Sequence, residues 1–77
     1  MNIEYKKDIL KNALTTRMNE VTEYQVNVDN FRLAIEKIGD DPFLQEFKKQ
    51  LEELLFSTLY EQRKAQIMLE VVQSQLE

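Results

Sequence analysis

Ile38-Gly39-Asp40-Asp41-Pro42-Phe43 is the stretch whose reading decides the fold. It holds the only glycine and the only proline in 77 residues. Glycine just past a periodic apolar residue suits the left-handed conformation that ends helices. Lys37 lies in the turn before it, where a cation meets the negative end of the helix dipole. Asp41 is placed to cap a second helix, with Pro42 in its first position, where a missing N–H costs nothing. A stop and a start within four residues make consecutive helices antiparallel neighbours.

Outward from the turn toward the N-terminus, one apolar set falls at Leu14, Val21, Val28 and Ile35, with Lys7 in the same phase. A second falls at Ile3, Leu10, Tyr24, Phe31 and Ile38, with Arg17 in phase. Alternating steps of four and three place both sets on one helical face. Asn2 is the expected N-cap and Glu4 favours the first turn. One helix over about residues 3–38, about 54 Å long at ~1.5 Å per residue, is therefore expected. Thr15-Thr16 and Asn19 have modest helix propensity, and a break there is the competing assignment.

Beyond the turn, a helix over about residues 42–76 repeats the rhythm. One set is Leu44, Leu51, Thr58, Ala65 and Val72; the other is Phe47, Leu54, Glu61, Met68 and Gln75. Folding the arms about the turn sets Phe31 on Leu51, Val28 on Leu54, Tyr24 on Thr58, Arg17 on Ala65 and Leu10 on Val72. Arg17 and Glu61 then lie one helical turn apart, and Tyr24 and Thr58 within hydrogen-bonding reach. Arg17, Glu61, Tyr24 and Thr58 are thus expected to form a polar layer that fixes register, the usual role of polar groups in such a seam.

The sequence accordingly predicts an all-α chain, an antiparallel two-helix hairpin packed like a coiled coil, as a single domain over residues 1–77. The second arm carries more apolar surface than one seam uses. Leu55, Leu59, Leu69 and Leu76 widen the stripe, while Phe56, Tyr60, Ile67 and Val71 form another row. Tyr5, Val26 and Leu33 lie off the seam of the first arm. Apolar rows of this extent mark interfaces. Phe56, Tyr60, Ile67, Val71, Leu55 and Leu59 are the candidate interface residues, either for a different protein or for a second copy in a homodimeric four-helix bundle. Opening of the turn would let the same stripes pair between chains as a swapped dimer.

The chemistry excluded is as informative. There is no histidine and no cysteine, which removes the commonest general base, zinc and haem ligands, thiol chemistry and disulfides. One glycine rules out a phosphate-cradling loop. Asp29, Asp40 and Asp41 lack calcium-loop spacing. Asp40-Asp41 and Glu52-Glu53 read as caps and solvated acids. No catalytic, cofactor-binding or metal-ligating residue is assigned, and no enzyme or small-molecule substrate is expected.

Fourteen acidic and ten basic residues give a net charge of −4, which disfavours nucleic-acid binding. The pairs Lys6-Lys7, Lys48-Lys49 and Arg63-Lys64 are separated by acids and resemble solvated faces rather than a membrane anchor. No apolar run reaches the length of a signal-peptide core or membrane span, so a cytoplasmic location is expected. In size and hairpin layout the chain resembles small helical-hairpin chaperones of secretion systems and small bacteriophage proteins that bind host or virion components. That resemblance implies a protein-binding role, as adaptor, chaperone or inhibitor. A self-assembling structural subunit is the alternative, with a nucleic-acid mimic or binder third.

Overall fold

Two helices and a short connection account for the chain: α1 spans Ile3–Ile38 and α2 spans Gln45–Leu76 in the computed structural model, which describes residues 2–77. They lie side by side as an antiparallel hairpin with extents of 62 × 16 × 14 Å. The elements follow from local chemistry. Asn2 accepts the Glu4 backbone N–H at 2.9 Å and so caps α1 as its sequence position predicts. Thr15 and Thr22, within or beside the soft stretch, donate their hydroxyls to the carbonyls of Lys11 and Met18, at 3.3 and 3.0 Å. Their side chains satisfy themselves on the helix, and α1 runs through Thr15–Asn19 without a break.

The connection is longer than the sequence suggested, and α2 does not begin at Pro42. Two turns share Asp41. In the first, the Asp41 N–H donates to the Ile38 carbonyl at 3.0 Å, with Gly39 at φ 50°, ψ −124°. That pair of angles belongs to the first central position of a type II′ turn, which calls for glycine. In the second, the Leu44 N–H donates to the Asp41 carbonyl at 3.2 Å, with Pro42 at the first central position that its fixed φ favours. Asp41 caps this turn rather than the helix, its carboxylate accepting the Phe43 N–H at 3.0 Å. Gln45 donates to the carbonyls of Asp41 and Gly39, and the Lys48 ammonium donates to Gly39 at 3.0 Å. The loop carbonyls are thus tied to the first turn of α2.

Three extra residues in the connection move the register and turn the seam of α2. On α1 the covered residues are those read from the sequence, from Leu10 through Arg17, Val21, Tyr24, Val28 and Phe31 to Ile38. Val28 is fully enclosed. On α2 the buried residues are Leu51, Ala65, Leu69 and Val72, and the half-buried ones include Lys48, Leu55, Thr58, Gln62 and Leu76. The second seam set is therefore Leu55, Gln62, Leu69 and Leu76 in place of Leu54, Glu61, Met68 and Gln75. At 100° per residue this rotates the stripe by roughly 50° about the helix axis. Leu54, which the expected register placed inside the seam, is 49% exposed and lies at its edge.

The polar contact across the pair agrees with the shift. Gln62 donates its amide to the Gln25 side-chain oxygen at 2.7 Å, where the expected register set Ser57 opposite Gln25. The same displacement leaves the start of α1 without a neighbour. Residues Asn2 to Ile9 are all exposed, Ile3 and Lys7 included, and covering begins at Leu10.

Candidate interaction surfaces

Because a hairpin has one mutual contact, each helix presents a back and a flank on either side of the seam. The back of α2 carries the row singled out from the sequence. Phe56 is 76% exposed and Tyr60 61% exposed, and Ile67 and Val71 are also open. Leu55 and Leu59 differ from the rest of that set, being half-buried, and Leu55 belongs to the seam. On the back of α1, Val26 and Leu33 are exposed, and Tyr5 lies open on the overhanging first turns.

Midway along one flank, Arg17, Glu20, Tyr24, Glu61, Lys64, Ala65 and Met68 line a shallow hollow. Arg17 pairs with Glu20 at 3.1 Å and Glu61 with Lys64 at 3.0 Å, each within its own helix. The expected ion pair across the helices, Arg17 to Glu61, is replaced by these local pairs, because a residue three positions away on the same helix is the nearer partner. Tyr24 and Thr58 are half-buried, and no hydrogen bond joins them among the described residues. The polar group that does span the helices is Gln25 with Gln62, on the other flank.

Glu61 raises the pKa of Lys64 above its ordinary value, first by hydrogen bond and then by its charge. Stabilisation from a raised lysine pKa is present at neutral pH and lost as alkali takes the pH through the raised value. The Lys64 side chain is about half exposed, so screening by water keeps the effect small. It also sits 4.8 Å from the centre of the Tyr60 ring, joining the hollow to the back row.

The two flanks differ in chemistry. Steps of seven from Tyr24, Glu20 and Met68 in the lining of the hollow lead to Phe31 and Ile38, to Lys6, Ala13, Asn27 and Ala34 on α1, and to Leu54, Phe47 and Gln75 on α2. Leu54, Phe47 and Met68 are between 42% and 49% exposed. On the opposite flank, Val21, Gln25, Leu59, Gln62, Arg63 and Gln66 surround a second hollow. Steps of seven from Gln25 and Leu59 lead there to Glu4, Lys11, Met18 and Arg32, and to Gln45, Glu52 and Gln73. One flank thus carries Phe47, Leu54 and Met68 about a charged centre, with Lys6, Asn27 and Gln75 as its polar members, and the other is mostly polar, with Met18, Val21 and Leu59 as exceptions.

The sequence reading missed the apolar flank, because Phe47, Leu54 and Met68 were assigned to the seam. The signal was present: α2 carries apolar residues in sevens in both neighbouring phases, more than one contact consumes. Among the described residues no three acidic side chains converge as a metal site would require. Among the described residues no helix is long and apolar enough to cross a membrane. No protein-family model matches the chain, and neither a curated protein nor a solved structure matches it.

Proposed function

We propose that the chain is a non-enzymatic protein–protein interaction module that holds its partner through the back of α2. The observation that carries this reading is the row Phe56, Tyr60, Ile67 and Val71, exposed on a helix whose opposite face is already occupied by α1. Large aromatic side chains supply most of the energy of protein interfaces, which makes Phe56 and Tyr60 the anchors. A net charge of −4 argues against a nucleic-acid partner, and a chain without histidine or cysteine argues against catalysis. The lack of cysteine suits a reducing compartment such as the cytoplasm.

Affinity capture from native lysate tests the reading. Tyr60→Ala is expected to lose the captured protein while helix content by circular dichroism stays at the wild-type level. Retention of the partner by that variant would remove the back row from the binding surface.

A second reading, a self-assembling bundle, is favoured by the size of the core. Only Val28, Leu51, Ala65, Leu69 and Val72 are buried among the described residues. Chains of this size without disulfide or metal commonly complete their core by pairing.

A further inference from the structure

The two apolar surfaces of the hairpin have different occupants: we propose that the flank bearing Phe31, Phe47, Leu54 and Met68 takes a second copy of this chain in an antiparallel four-helix bundle. The proposal deepens the interaction reading and leaves the back of α2 free for another protein.

Charge selects the occupant. Midway along the flank, one hollow gathers Arg17 and Lys64 with Glu20 and Glu61, two cations and two anions. A surface so composed is complementary to itself. A two-fold axis through the hollow lets each carboxylate meet a cation of the other copy, whereas a partner of one predominant sign would leave two charges opposed. The groups are half-buried or exposed, so covering them removes hydration that the ion pairs formed across the axis must offset.

Shape points the same way. With the axis there, the bulky turn half of one copy, with Phe31, Phe47 and Leu54, lies on the free-end half of the other. That half offers the small Ala13 and, on the overhang of α1, the exposed Ile9. Antiparallel pairing therefore lays the turn half of one copy over the turns of α1 that α2 does not reach in the other. At 62 Å the side is long enough for a second hairpin to lie along its full length. The opposite flank, lined by glutamine, arginine and lysine, stays in water.

The experiment is the solution mass of the full chain by light scattering, across a micromolar concentration range. Wild type is expected at twice 9.2 kDa. Leu54→Arg is expected at the single-chain mass, and Leu33→Arg, on the back of α1, at the wild-type mass. Should Leu54→Arg fail to fold, Glu61→Cys gives the answer, since a residue beside a two-fold axis neighbours its own copy. It is expected to oxidise to a covalent dimer, and Lys37→Cys is not. A single-chain mass for wild type overturns the pairing but leaves capture by the Tyr60 row to stand or fall separately. Dissociation by Phe56→Arg with an intact Leu54→Arg dimer overturns the assignment of the two surfaces. Lack of a Glu61→Cys cross-link in a dimeric chain overturns the position of the axis.

Discussion

Gly39 carries the first turn in a backbone conformation that a side chain resists. A Cβ there would find the Glu36 carbonyl oxygen at 3.7 Å, an ordinary contact, so the cost of substitution lies in the backbone alone. Gly39→Ala is expected to lower stability by about 1–3 kcal/mol in urea unfolding, with circular dichroism of the folded state unchanged. Val28 tests the core in the same way. Val28→Ala should cost roughly 2 kcal/mol, since it empties a fully enclosed site, while Val26→Ala on the exposed back should stay within ~0.5 kcal/mol of wild type. At this scale the caps were legible. Asn2, Lys37 and Gly39 sit where side-chain chemistry alone placed them. Asp41 and Pro42 were not, because the same residue pair that starts a helix also builds a β-turn. Only the carbonyls of Gly39 and Asp41, claimed by Gln45 and Lys48, favour the turn.

The difference of three residues at the turn propagates along the whole of α2. Helix existence, antiparallel order and the stripe of α1 follow from periodicity. The stripe of α2 does not, because Leu54 and Leu55, and again Met68 and Leu69, offer an apolar side chain in either phase. Connection length chooses between them, and it depended on the Asp41-Pro42 ambiguity. Leu69→Ala is accordingly expected to cost about 2–5 kcal/mol, as for a buried leucine elsewhere. Nuclear Overhauser contacts check the register directly. The Gln62 side-chain amide should show one to Gln25, and a contact from Gln25 to Ser57 would restore the tighter register. The cross-helix ion pair is replaced for a related reason. Arg17 and Glu61 each have an acid or base three positions away on their own helix, and local pairs form without aligning two helices.

As a whole molecule the hairpin is long and thin, so few side chains can be enclosed on both sides. The apolar flank and the back of α2 are what remain. A paired hairpin gains stability by mass action, and its thermal midpoint should therefore rise with protein concentration. That rise is expected for wild type and lost in Leu54→Arg. The back row was legible in the sequence because nothing on α1 could reach it. The flank required the observed seam, since its residues became available only once Leu55 and Leu69 had taken their places.

Phe43, 93% exposed at the tip of the hairpin, lies outside both helices and is held by one backbone contact to Asp41. An aromatic residue in an exposed, non-helical tip is what chymotrypsin cleaves first. Limited digestion should cut there before anywhere in the helices. The two halves would still be joined along the seam, so they should travel together on a native column and separate in denaturant. The connection would then be shown to set only the effective concentration of one helix near the other. A protein cut there becomes a two-piece kit, in which a labelled or altered α2 can be exchanged into an untouched α1.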